Sequence, residues 1–526
     1  MKKAMKKLMA ALLAVAMVCA MAIPAFAAGG TNTLTINGTT EGHTYEAYQV
    51  FTGTLNESTL SDVDWGNGVD GAGILADPDL PSSLKPASTA AELAANLKSA
   101  SHDDIDVFAK VVGNHIKTEN KYESTASGKT YTIAGLPDGY YFVKDATGSM
   151  PAGATYSRYM LNIVKTLTIT AKDTTVTLDK QIKHNETDKW GVVGDNQIGD
   201  TVYFRTITTV PNVTGYDTYT YEIHDTMSSE LTSKVNSIDD ITIKVNDSTE
   251  LPKSYYTVSA LGNSFTVYVK ILEAVADSKI SANDKLYTYY SGVLNETAKM
   301  STEGPQQNEA YLTYSNNPND TSVGETVHKT VYDWTFQIDV TKVDGTTPDK
   351  KLEGAVFVLS KFADLVLKPE DNGTPTEHTD DLIKLVKKSE GVYTVADAST
   401  STTYTMTTPA TGQISIKGLD DDTTYYLYET KAPSGYNSLT APVTFKIATR
   451  TNDNYSDTGV TINEQPNITV NGNPTLSGTA FNVENNAGTT LPSTGGIGTT
   501  IFYVVGGGLM VAAAILLITK KRMENR

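Results

Sequence analysis

Apolar and polar residues alternate strictly in short runs along this chain. Examples are Thr33-Leu34-Thr35-Ile36, Leu167-Thr168-Ile169-Thr170, Thr175-Val176-Thr177-Leu178 and Phe336-Gln337-Ile338-Asp339-Val340. A period of two places every second side chain on the same face of an extended strand, so each run buries one face and wets the other. Thr and Tyr, in which the chain is rich, suit such a half-buried pleated surface. Gly, Asn and Pro punctuate the runs as turns. The pattern predicts an all-β chain built from sandwich-type domains. One region departs from it. Ala90 to Leu97, and Ile105 to Ile116 with Ile105, Phe108, Val112 and Ile116 at three- and four-residue spacing, predict two short helices inserted in the first domain.

The two ends read differently from the body. Lys2, Lys3, Lys6 and Lys7 precede an apolar run from Leu8 to about Ile23, and Ala25-Phe26-Ala27 supplies the small residues of a signal-peptidase site, with cleavage expected after Ala27. At the other end a charge-free apolar run, Ile501 to Thr519, precedes Lys520, Lys521, Arg522 and Arg526. A helix over that run is about 28 Å long, enough to cross a hydrocarbon core, with the basic tail cytoplasmic.

Charge and cysteine usage agree with export. The chain carries −18; the first 27 residues hold four lysines and no acid, and residues 495–526 hold four bases and one acid, so the segment between carries −25. Such an acidic chain does not favour nucleic acid. The single cysteine, Cys19, lies within the signal, so the exported chain has no disulfide although it meets an oxidising environment. The 467 residues from Ala28 to Thr494 are enough for about three domains with real cores.

No metalloprotease, nucleophile-elbow, phosphate-loop or Cys-x-x-Cys motif is present, and the seven histidines are scattered. Asp62, Asp64 and Asn67-Gly68 lack the spacing of a calcium loop. Neither an enzymatic activity nor a cofactor or metal is expected.

Leu491-Pro492-Ser493-Thr494-Gly495, followed by the apolar run and basic tail, resembles the L-P-x-T-G sorting signal of Gram-positive surface proteins. The resemblance implies that a sortase transpeptidase cuts after Thr494 and transfers its carbonyl to an amine. Tyr425-Tyr426-Leu427-Tyr428-Glu429-Thr430-Lys431-Ala432-Pro433-Ser434-Gly435-Tyr436 resembles a segment of collagen-adhesin B-type domains. In that family a Lys on the first strand and an Asn on the last bond to each other with the help of that Glu, which implies Lys342, Asn485 and Glu429 here. Face parity supports the choice: Phe336, Ile338, Val340 and Lys342 share one face, as do Phe481, Val483 and Asn485. Asn486 is the neighbouring alternative.

Gly199-Asp200-Thr201-Val202-Tyr203 and Tyr221-Glu222-Ile223-His224-Asp225-Thr226 resemble segments of the isopeptide-forming middle domain of pilus shaft subunits. The resemblance implies a Lys180–Asn308 bond with Asp225 as the acid; Asn316 has the same parity as Asn308. His224, adjacent to Asp225, is expected to face outward. Shaft pilins also carry a lysine at the end of the first domain, usually after Tyr-Pro, that joins the Thr of the next subunit. Lys172 matches in position, with Thr170-Ala171 in place of Tyr-Pro; Lys165 is a weaker candidate.

The chemistry expected of each set is simple. A lysine among apolar side chains loses its charge readily, and its neutral amine is a nucleophile. A buried carboxyl stays protonated and polarises the amide. The amine attacks and ammonia leaves. The expected organisation is a signal peptide (1–27), an N-terminal β domain with a helical insert (28–171), a middle isopeptide-forming sandwich (172–331), a collagen-adhesin B-type sandwich (332–490) and the sorting signal with span and tail (491–526). By resemblance this is the major, or shaft, subunit of a sortase-assembled pilus, with three tandem immunoglobulin-like domains. Its implied partners are a sortase, further copies of itself, tip or basal pilins, peptidoglycan, and ligands on host or partner cells. A monomeric wall-anchored adhesin with the same domains as a stalk is the alternative.

Overall fold

The computed structural model describes residues 31–38, 40–146, 148, 150–171, 175–185, 188–213, 216–318, 321–365, 379–397, 402–448, 467–474, 478–489 and 497–524. The expected signal peptide (1–27), Lys172 and the pentapeptide 491–495 lie outside them. The described body is strand-rich and consists of three successive pairs of sheets.

In the first domain, Asn32–Asn37 pairs antiparallel with Thr130–Leu136 and parallel with Leu167–Thr170. The facing sheet runs Thr59–Trp65, Tyr45–Asn56, Gly139–Asp145, Arg158–Ile163. From Tyr45 to Phe51 every residue is buried. One face of that strand packs on Leu34, Ile36, Tyr131 and Ile133 in the sandwich core; Tyr48, Val50 and Phe51 pack instead on Ile74, Leu93, Phe108 and Val112 of the helices. The expected helix at Ala90–Leu97 is present, capped by Thr89, which accepts from Glu92 N at 3.2 Å. The second expected helix starts earlier, at His102, because Ser101 caps it by accepting from Asp104 N. A further helix of one and a half turns, Gly71–Ala76, was not expected.

The middle domain has two seven-stranded sheets. One contains Leu178–Lys183, Thr201–Thr209 and Lys285–Leu294; the other contains Tyr221–Met227, Gln306–Ser315 and Lys329–Trp334. The strand expected to begin at Thr175 begins at Leu178, and Val176 before it is already buried, its N–H donating to Gly153 O at 2.7 Å. Tyr332–Trp334 pair with Val193–Asp195, so the last strand of this domain runs three residues past the expected boundary at 331.

The third domain pairs its first strand, Phe336–Asp344, in parallel with its last, Ala480–Asn485. Its second sheet includes Val356–Ser360, Thr424–Lys431 and Val443–Ala448. One continuous apolar core runs through the middle and third domains. Their backbones touch where Ile198 N donates to Gly418 O at 3.0 Å. Gly418 has φ +86° and a Cβ there would come within 2.4 Å of Ile198, so only glycine permits this approach. The tail forms one helix, Ile497–Glu524, long and apolar enough to cross a membrane, with Lys521 and Arg522 in its last turn.

Candidate crosslinking sites

Alternation carries one lysine into each of two dry cores. On Leu178–Lys183 the residues Leu178, Lys180 and Ile182 point inward, and Lys180 is 1% exposed. Asp225 reaches it from the facing sheet, where it stands opposite Ala310; Asn308 stands opposite Met227 one step along. Lys180 Nζ donates to the Asp225 carboxyl and to the Tyr290 hydroxyl, and that hydroxyl donates to the same carboxyl. Rings close the pocket: Lys180 Nζ lies 5.6 Å from the centre of Phe204 and 5.0 Å from that of Tyr290.

Asn308 is 1% exposed, and its amide lies within reach of the Asp225 carboxyl and the Tyr290 hydroxyl. The electrostatics favour neutral partners. Burial lowers the Lys180 pKa, against the pull of Asp225, and burial raises that of Asp225, against the pull of Lys180. Burial also holds the Tyr290 phenol protonated, so it donates rather than ionises. The pocket therefore gathers an amine biased toward its nucleophilic form, an acid biased toward its protonated form and an amide beside that acid.

The third domain repeats the arrangement with different elements. Lys342 is the inward residue after Phe336, Ile338 and Val340, all four of them fully buried. The parallel last strand sets Val483 beside Lys342 and Asn485 beside Asp344. Lys342 Nζ donates to Asn485 Oδ1, and Glu429 Oε1 lies 3.1 Å from the same nitrogen. Asn485 Nδ2 donates to both Glu429 oxygens, at 2.9 and 3.0 Å. Glu429 thus bridges nucleophile and leaving group. Burial lowers the Lys342 pKa, opposed by Glu429, and Phe357 lies 5.6 Å from its nitrogen.

The alternatives fall elsewhere. Asn316 lies past the end of its strand and accepts from Ser322 Oγ at 3.0 Å. Asn486 is exposed and its carbonyl accepts from Asn437 N. His224 points away from Asp225, stacked on Tyr311 at 4.5 Å. Tyr290 was not anticipated, although its inward parity on Lys285–Leu294 was readable. In the first domain the buried lysine is Lys144. It meets Glu46 at 3.1 Å and the Asp145 carbonyl at 3.1 Å, with no asparagine bonded to it among the described residues.

Residues 336–465 match the SpaA prealbumin-like fold domain, and residues 483–525 match the LPXTG cell wall anchor motif. The first match falls on the third domain and the second on its last strand and the tail. No curated protein matches the chain. Among solved structures, the chain is similar to the T6 backbone pilin of serotype M6 Streptococcus pyogenes, described as a modular three-domain structure, with 16% identity, TM-score 0.53 and coverage of 88% of this chain and 100% of the other. It is also similar to the full-length major pilin SpaD of Corynebacterium diphtheriae, with 17% identity, TM-score 0.49 and coverage of 89% and 99%. At such identities the likeness to T6 speaks for a shared three-domain fold. The anchor motif and its apolar helix make this a cell-wall-anchored surface protein that passes through a membrane-anchored precursor.

If both sets react, the folded exported chain weighs two ammonias less than its sequence. In each, the Nζ lone pair attacks the Asn Cγ, the acid gives its proton to the amide nitrogen as the Cγ–Nδ2 bond breaks and ammonia leaves, and Nζ returns one proton to the acid. Intact-mass measurement checks this: Glu429→Ala is expected to regain one ammonia and Asp225→Ala the other, whereas a wild-type mass equal to the sequence mass would rule out both bonds.

Proposed function

We propose that the chain is the repeating shaft subunit of a covalent pilus, joined by sortase from Thr494 of one copy to Lys172 of the next. The observation that carries this reading is where the Lys, acid and Asn sets lie. Both sit between residues 172 and 494, in the middle and third domains, and among the described residues the first domain has none. In a polymer linked through Lys172, tension enters at that lysine and leaves at Thr494. It therefore crosses the two domains with candidate staples and bypasses the first. In a monomeric stalk with its adhesive end at the N-terminus, tension would cross the first domain as well. Head-to-tail joining is a heterologous contact that does not close, so it propagates as a fibre.

Wall extracts of cells carrying the chain are expected to show a ladder of very large, SDS-resistant species. A single band of monomer size would favour the monomeric adhesin. Thr494→Ala is expected to leave the protein in membrane or medium fractions; covalent wall linkage of that variant would contradict sorting at this residue.

A further inference from the structure

The two crosslinking sites differ in how the acid reaches the reacting atoms. In the third domain Glu429 does so alone. Its Oε1 lies 3.1 Å from Lys342 Nζ, and both of its oxygens accept from Asn485 Nδ2. The ring near that lysine belongs to Phe357, and among the described residues no hydroxyl is hydrogen-bonded to Lys342 Nζ. The middle domain has an aspartate instead, one methylene shorter, and there a phenol completes the set. Tyr290 stands opposite Phe204 in the sheet that carries Lys180 and is 5% exposed. Its hydroxyl accepts from Lys180 Nζ, donates to Asp225 Oδ2 and lies within reach of the Asn308 amide.

These bonds fix directions as well as contacts. A neutral amine has two N–H bonds and one lone pair. Lys180 Nζ donates to Asp225 Oδ2 and to Tyr290 Oη, so both N–H bonds are held and the direction of the lone pair follows from them. Lys180 and Tyr290 meet the same carboxyl oxygen, which leaves Oδ1 to face the Asn308 amide beside it. A phenol hydroxyl accepts and donates at one atom, so it passes a proton along without changing its own charge. The chain of bonds already runs from Nζ through Oη to Oδ2.

We propose that Tyr290 is a catalytic residue of the middle-domain crosslink: it aims the Lys180 amine and carries that amine's proton to Asp225. This rests on the reading of Lys180, Asp225 and Asn308 as a crosslinking set. The Nζ lone pair attacks Asn308 Cγ. Asp225 gives the Oδ1 proton to Nδ2 as the Cγ–Nδ2 bond breaks and ammonia leaves. The Nζ proton moves to Tyr290 Oη while the phenol's own proton moves to Asp225 Oδ2. Tyr290 and Asp225 end as neutral as they began, one amide replaces another, and nothing is oxidised or reduced. The phenol thus gives the short acid the reach that Glu429 has by itself.

The exported chain, 28–494, is made by cell-free translation and samples are quenched over time. Digests are read by mass spectrometry for the Lys180–Asn308 and Lys342–Asn485 branched peptides. In Tyr290→Phe the first peptide is expected to form about 10–100-fold more slowly than in wild type, less than the roughly 100–10,000-fold typical of an acid–base group because the direct contact of Nζ with Asp225 remains. The second is expected at its wild-type rate, which also reports that the variant has folded, since one core runs through both domains. Tyr290→Phe combined with Asp225→Glu recreates the glutamate and phenylalanine of the third domain and is expected to recover most of the lost rate. That double variant also serves if Tyr290→Phe alone does not fold, and is then expected to form the first peptide within about tenfold of the wild-type rate. An unchanged rate of the first peptide in Tyr290→Phe would overturn the proposal. So would equal slowing of both peptides, which marks a merely structural role, or a double variant that stays slow. Absence of the Lys180–Asn308 peptide from wild type would remove the crosslink reading, and the role of Tyr290 with it.

Discussion

Asp225→Ala is expected to lower the unfolding midpoint of the middle domain by about 10–20 °C, and Glu429→Ala to do the same in the third. The bond proposed between Lys342 and Asn485 joins residues 143 apart, and that between Lys180 and Asn308 closes a loop of similar size. In the chain-entropy treatment of a crosslink, a loop of about 100 residues contributes about 4–5 kcal/mol by restricting the unfolded chain. In a domain of about 150 residues each kcal/mol moves the midpoint by about 2–4 °C. Loss of the acid also leaves a buried amine without its partner, which is destabilising by itself. The pair Lys180→Met with Asp225→Asn separates the two effects: it removes both charges while keeping volume. If the crosslink is the source of stability, the double variant melts as low as Asp225→Ala. Recovery to wild-type stability in the double variant would mean that charge burial, and not a bond, governs the domain. Calorimetry of the exported chain, read beside its intact mass, makes the comparison.

Lys172→Ala is expected to abolish the ladder of large species and leave only monomers linked to the wall, while Lys165→Ala still polymerises. The joining reaction needs an amine that a sortase carrying the next subunit can reach. Lys180 and Lys342 are buried and engaged with acids. Lys172 follows Ala171, whose N–H donates to Asn37 O, and precedes Val176, whose N–H donates to Gly153 O; both acceptors belong to the first domain. Anchoring through Thr494 does not use this amine, so wall linkage should survive the substitution. Electrophoresis of wall extracts reads both outcomes at once.

Much of the site was legible because it lies on strands with one dry face. The resemblance singled out Lys180, Asn308, Lys342 and Asn485, parity set each on a face with apolar neighbours, and all four are buried. Parity did not separate Asn308 from Asn316, which differ in whether the strand has already ended. Nor could it find Tyr290, since alternation says that a residue points inward but not which inward residue stands across the core. The strand Tyr45–Asn56 shows no alternation where helices cover its second face, so the pattern that reveals the other strands is missing there. The helix Gly71–Ala76 is six residues long and its preceding Asp70 makes no side-chain cap, so neither period nor cap signalled it. The strand boundary at Trp334 depends on pairing with Val193–Asp195, more than 130 residues earlier.

The central claim, that copies of this chain are joined end to end, is tested most directly by mass spectrometry of digested wall-released protein. The account predicts a branched peptide in which the Thr494 carbonyl is bonded to Lys172 Nζ. A branch on any other lysine, or Thr494 found only on cell-wall peptide in material from wild-type cells, would contradict it.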